Sequence, residues 1–258
     1  MFLAALELKV ITMNKQRIGI VGGMGSYAGL DLLRKVYDVT PAISDSEHFP
    51  VTLISAPQQT TDRTQFLIGQ SSLNPSVGML EIISQLAEQG ASIIGIPCNT
   101  AHANKILNEV QKALPQGVTL VHLIESVVDH IVSEYPTIKK VGIIGTTGTI
   151  RANIYKDALL EKGLKAVHPS DHMQENYVMS AIYAEDFGIK AHSNPVTEKA
   201  TEYLLLAADE LIEKGSQIII LGCTEIPLAI TQASYQGYPC IDATKILAQQ
   251  LVKTASAN

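Results

Sequence analysis

The 258-residue sequence predicts an α/β fold. It should hold two similar α/β domains with parallel sheets, related by pseudo-twofold symmetry, with an active site at the domain interface. Three observations carry that expectation. Short apolar runs alternate with amphipathic stretches, the pattern of parallel strands joined by right-handed crossover helices. The apolar fraction is 46%, yet aromatics are only 5% and Trp is absent, so the interior must be aliphatic, as in doubly covered parallel sheets. Two sequence blocks also recur in the same order.

Residues 1–12 (MFLAALELKVIT) open apolar but contain Glu7 and Lys9 and lack the leading basic segment of a signal peptide. Met13 stands just before the first strand. Residues 1–15 are therefore expected to be a leader outside the fold. Buried strands are predicted at 17–21, 51–55, 92–96, 118–122, 141–144 and 217–221. Helices fall between them. Met79, Leu80, Ile82, Ile83 and Leu86 share one helical face, as do Leu204, Leu205, Ala208, Leu211 and Ile212. A short strand at 238–241 precedes a last helix, 243–252, which is expected to return to the first half.

The repeat fixes the pairing of halves. IGIVGGMG starts at Ile18 and VGIIGTTG at Val141; EQGASIIGIPC starts at Glu88 and EKGSQIIILGC at Glu213. The spacing between copies is nearly the same for both blocks, so each half opens with strand, glycine turn and helix, then carries a cysteine just after a later strand. A Pro-Gln-Gly stop at 115–117 marks the boundary. The expected domains are 16–117 plus 228–258, and 118–227.

Composition excludes several classes. Net charge is −6 without a basic cluster, which argues against nucleic acid as a partner. No apolar run has the roughly 18 residues of a membrane span. Three cysteines without Cys-x-x-Cys spacing suit neither a disulfide framework nor a zinc site, and no metal is expected. A reducing cytoplasm is the natural setting. Gly23, Gly25 and Ala28 fit a loose dinucleotide pattern, but the following strand ends in Ser55-Ala56-Pro57 without the required acid. The glycines are read as a tight turn that lets backbone approach a small anion.

Ligands of parallel sheets bind at the carboxyl ends of strands. Cys98 and Cys223 both sit there, one per half. Two thiols converging from opposite sides suit inversion at a carbon acid, one sulfur removing a proton and the other returning it. Each cysteine is expected to open a helix whose dipole favours thiolate. Cys240 reads as a small buried hydrophobe. Backbone and side-chain donors of Asn99 and Thr100 suit a carboxylate. Thr146, Thr147 and Thr149 lie on the second glycine turn, where ligand contact and simple N-capping both fit. His102 reads as a helix-surface residue and Glu225 as a cap on a helix start.

These motifs resemble the aspartate/glutamate racemase family, and its aspartate branch best. The carriers are GIVGGMGSYAG (19–29), TDRTQFL (61–67), PCNTAH (97–102), GIIGTTGT (142–149), GIKA (188–191) and LGCTEIPL (221–228). The resemblance implies a cofactor-independent homodimer that racemises aspartate, or glutamate, between Cys98 and Cys223. It implies α-carboxylate binding by Asn99 and Thr100 and side-chain carboxylate binding by Arg63. It adds Lys190, Met24, Gln58, Thr64, Thr147 and Thr224 to the substrate-binding set. Two departures stand out: no Pro precedes Asp62-Arg63, and the lysine segment reads Lys190-Ala191-His192. Maleate isomerase and hydantoin racemase share the scaffold and are the alternative enzymes. A ligand-binding protein without catalysis is the non-enzyme alternative.

Overall fold

The computed structural model describes residues 15–257, so the expected leader, 1–15, lies outside the described residues except for Lys15, whose ammonium reaches the Glu47 carbonyl and the Phe49 ring. The first half runs β1 (Arg17–Gly22), α1 (Ser26–Val39), β2 (Val51–Ser55), α2 (Arg63–Leu67), α3 (Ser76–Glu88), β3 (Ala91–Gly95), α4 (Asn104–Lys112), β4 (Thr119–Val121) and α5 (Leu123–Glu134). The second runs β5 (Lys140–Gly145), α6 (Thr147–Arg151), α7 (Ile154–Glu161), β6 (Lys165–Val167) and α8 (Asp171–Met173). A π-turn at Gln174–Val178 leads into α9 (Met179–Tyr183), followed by α10 (Glu198–Glu213), β7 (Ile218–Gly222), α11 (Ile226–Ala229), β8 (Ser234–Tyr235), β9 (Tyr238–Asp242) and α12 (Ala243–Ser256).

One sheet has the order β2-β1-β3-β4 and is parallel throughout. The other has the order β6-β5-β7-β9-β8, parallel except for β8. The order β2-β1-β3-β4 is matched by β6-β5-β7-β9, so the sequence repeat is a repeat of topology. β1 and β5 carry the glycine turns; β3 and β7 carry the cysteines.

The strand runs are apolar because both faces are covered. A central cluster joins Ile18 and Ile20 of β1, Ile143 of β5, Ile218 and Ile220 of β7, Val127 and Ile131 of α5, and Leu247 and Leu251 of α12. Separate clusters fill the outer faces, one around Ile82, Ile94 and Ile106, the other around Leu204, Leu211 and Ile219. Gly95 of β3 lets α12 close on the first sheet: a Cβ there would stand 2.7 Å from the Leu251 side chain. α12 packs on α1 and α5, as expected for a returning helix.

Three strands lie in the other half from the one assigned by the boundaries at 117 and 228. β4 pairs with β3 in the first sheet, whereas β9 pairs with β7 and β8 with β9 in the second. The Pro-Gln-Gly stop ends a helix inside the first unit; it does not separate units. The strands at 165–167 and 234–235 carried no apolar run long enough to see. β8 and β9 form a hairpin through Gln236 (φ 48°) and Gly237 (φ 83°), both left-handed as a two-residue I′ turn needs.

Candidate active site

Cys98 follows β3 and Cys223 follows β7 directly. Both line one cavity, to which the two halves contribute equally. Met24, Arg63, Thr64, Cys98, Asn99 and Thr100 come from the first half; Thr146, Tyr183, Lys190, Cys223, Thr224 and Glu225 come from the second. Each sulfur-bearing residue is only 6% exposed. The cavity is ≈ 10 Å³, room for about one water and too small as it stands for an amino acid. Wider grooves of ≈ 620 Å³ and ≈ 430 Å³ lie along α12, away from both of these sulfurs.

The loop after each cysteine crosses to the glycine turn of the opposite half. Thr100, two residues after Cys98, places its hydroxyl 3.0 Å from those of Thr146 and Thr149. Glu225, two residues after Cys223, accepts from the Gly25 amide through Oε1 at 2.9 Å. Thr224 Oγ1 donates to the Pro97 carbonyl at 2.9 Å. A Cβ at position 25 would sit 2.6 Å from Glu225 Oε1 and displace the carboxylate.

The two cysteines differ electrostatically. The Cys223 thiol donates to Glu225 Oε2 at 3.0 Å. Burial first, then the Glu225 carboxylate, pushes that thiol well above the ordinary range. Glu225 is itself buried, which would raise it, but Lys190 at 2.7 Å and the Cys223 hydrogen bond hold it ionised, below the usual carboxylate value. Arg63 lies on the Cys98 side. Burial opposes its charge, and the nearby Cys98 sulfur and Asp62 more than offset this, leaving the guanidinium above its ordinary value.

Among the described residues, two donors in this cavity have no partner, Arg63 Nε and Asn99 Nδ2. The other end of the Asn99 amide is fixed, since Oδ1 accepts from the Tyr155 hydroxyl at 2.5 Å. Arg63 is held by the carbonyls of Thr61 (3.2 Å) and Met24 (3.4 Å). A buried donor left bare costs about 1–3 kcal/mol, so both are poised for an anionic acceptor. Among the described residues, no group of three or more His, Cys, Asp or Glu is placed to hold a metal ion.

A model of the Asp/Glu/hydantoin racemase family matches residues 21–251. The chain belongs to that family, and the racemases it is similar to are isomerases. It is 28% identical over 244 residues to the broad specificity amino-acid racemase RacX of Bacillus subtilis, covering 92% of this chain and 97% of that one. Its fold is similar to that of Picrophilus torridus aspartate racemase, with a TM-score of 0.77 at 25% identity over 93% of this chain and 94% of that one. Glutamate racemase RacE1 of Bacillus anthracis shares the fold alone, with a TM-score of 0.63 at 20% identity over 93% of this chain and 81% of that one.

Several expectations for this racemase chain need correction. Gln58 is exposed and outside the cavity, because the loop turns it outward after β2. Thr147 is buried but turned away: its hydroxyl donates to Glu175 at 3.2 Å, and Thr146 takes the place facing the cavity. Lys190 does line the cavity, but its ammonium is paired with Glu225. Neither cysteine opens a regular α-helix. Cys98 precedes a 3₁₀ turn, Asn99–His102, and Cys223 stands three residues ahead of the four-residue α11. Glu225 makes no side-chain cap bond, and His102 is fully buried.

Tyr183 and Thr146 complete the lining. Tyr183 stands beneath Lys190, its ring centroid 5.4 Å from Nζ. Burial pushes its hydroxyl up to about 12, with Lys190 pulling the other way. Nothing in the sequence singled out Tyr183. Glu225 could have been found from the repeat, since it occupies the position of Thr100.

Proposed function

We propose that this chain interconverts the enantiomers of a small acidic amino acid, aspartate with glutamate as second choice, using its own two thiols and no cofactor. The observation that carries the reading is the shared cavity, with one cysteine from each half and the two bare donors, Arg63 Nε and Asn99 Nδ2, on its wall. Two cations, Arg63 and Lys190, face a ligand that brings two carboxylates and one ammonium.

The reaction follows from the asymmetry of the thiols. Cys223 begins as the acid, its proton held toward Glu225. Cys98, beside Arg63, begins as the thiolate base. The Cys98 sulfur takes the Cα proton, and the electron pair of the broken C–H bond spreads into the α-carboxylate. Donors of Asn99 and the Cys98 loop stabilise that charge. The Cys223 thiol then delivers its proton to the opposite face. Turnover leaves Cys98 protonated and Cys223 as thiolate, the form that processes the other enantiomer. Arg63 grips the distal carboxylate, a planar bidentate contact that suits guanidinium better than ammonium.

The test is incubation of the purified chain with each enantiomer of aspartate, glutamate and alanine, and separately with maleate, in deuterium oxide, without additions. Optical rotation and Cα deuterium are followed together. Racemisation of the acidic pair with deuterium uptake is expected, and Cys98→Ser and Cys223→Ser should each abolish inversion. Isomerisation of maleate with no amino-acid turnover, or normal inversion by either variant, would reject the proposal.

A further inference from the structure

His102 is the fourth residue after Cys98, and both of its ring nitrogens are used. Nδ1 is 2.9 Å from the Cys98 carbonyl oxygen. Nε2 accepts from the Leu123 backbone N–H, the first amide of α5, at 3.2 Å. A backbone N–H can only donate and a carbonyl can only accept. The two contacts therefore select one neutral tautomer, with the proton on Nδ1 and Nε2 bare. A protonated ring would point an N–H at the Leu123 N–H.

The surroundings favour the same form. Burial, and then the neighbouring His122, lowers the His102 imidazole to about 3, although the Cys98 carbonyl pulls the other way. The rings of His102 and His122 meet edge to face with centroids 5.0 Å apart. His122 also caps α5, its Nδ1 accepting from the Glu125 amide at 3.2 Å. The start of a central helix is thus satisfied by two histidines, one of which holds a cysteine loop.

Among the described residues, the remaining backbone hydrogen bonds of Cys98 are local. Its amide donates to the Ile96 carbonyl at 2.8 Å, and its carbonyl accepts from the Ala101 amide at 3.2 Å. His102 is what ties this short turn to α5, and α5 belongs to the central cluster packed on both sheets. We propose that His102, as the neutral Nδ1–H tautomer, is a positioning residue that aims the Cys98 sulfur by holding its carbonyl against the α5 N-terminus. The proposal rests on Cys98 acting as one of the two bases. His102 touches no substrate.

Two substitutions separate the nitrogens. His102→Asn puts an amide donor near the Nδ1 position; His102→Gln puts an amide near Nε2 and removes donation to Cys98. The Gln variant should lower kcat by about thirtyfold or more with KM nearly unchanged, since small misplacements of a reacting group cost that much. The Asn variant keeps the donor to the Cys98 carbonyl but gives up the Leu123 contact, so it should lower kcat as well. Cα exchange in deuterium oxide supplies the internal control. In a Cys223→Ser background, exchange driven by Cys98 should fall with His102→Gln. In a Cys98→Ser background, exchange driven by Cys223 should fall far less. Equal loss in both backgrounds would overturn the proposal in favour of simple packing. Nitrogen NMR of the wild-type ring needs neither variant folding nor turnover. A proton on Nδ1 that persists unchanged from about pH 8 to pH 5 supports the assignment, and a proton on Nε2 or titration in that range refutes it. Failure of the wild type to racemise, with the tautomer as stated, would count against the two-thiol reading and leave the clamp standing.

Discussion

Glu225→Gln keeps the shape of the side chain and removes its charge. The carboxylate oxygen is 3.0 Å from the Cys223 sulfur. Unit charges at that distance repel by roughly 5 kcal/mol in an effective dielectric of about 20, equivalent to about four pKa units. Full charges without relaxation set an upper bound on that repulsion, and its removal should lower the Cys223 pKa. Lys190, left without its carboxylate, pulls in the same direction. With its proton less firmly held, Cys223 becomes a poorer match to its role as the acid, and racemisation should drop about tenfold or more. The assay is the pH profile of Cys223 alkylation in a Cys98→Ser background, read by peptide mass, alongside racemisation of the variant with both cysteines. A Cys223 midpoint that stays put or rises would show that Glu225 does not hold the proton on this thiol, and the acid and base assignments would go with it.

Gly25→Ala drives a methyl group to 2.6 Å from Glu225 Oε1 and breaks the amide contact. A loss of about 1–3 kcal/mol and a kcat reduced by about tenfold or more are expected, read by urea unfolding and steady-state rates; wild-type behaviour would show that the carboxylate needs no cross-half anchor. Arg63→Lys should raise KM for aspartate by about tenfold or more with a smaller change in kcat, because the bidentate fork is lost; an unchanged KM rejects the distal-carboxylate role. Acid should weaken the fold through His102. Its folded pKa of about 3 lies below the unfolded value of roughly 6.5, so the unfolded chain binds the extra proton between these limits. Stability then falls by about 1.4 kcal/mol per pH unit as pH drops from about 6.5, fading near the folded value. His102→Asn should flatten that slope in urea titrations at successive pH values, and an unaltered slope would exclude His102 as its source.

Much of the architecture was legible because its signals are local. Apolar runs, glycine turns and helical periodicity each lie within a few residues, and all long strands were placed to within one or two positions. The edge strand Lys165–Val167 and the two-residue Ser234–Tyr235 were not, since a short edge strand buries too little to need a distinctive pattern. The domain boundary failed for a related reason: a helix stop is local, whereas the sheet a strand joins depends on register with a distant partner.

By itself, the sequence determined that two related halves each place a cysteine at the carboxyl end of a strand, because repetition and strand periodicity are written along the chain. Only the tertiary structure decided what surrounds those sulfurs. The Gly25 amide and Glu225 are 200 residues apart, Thr224 and Pro97 are 127 apart, and His102 reaches across to α5. Which thiol keeps its proton depends on charges and burial assembled across such separations, and no local pattern encodes them.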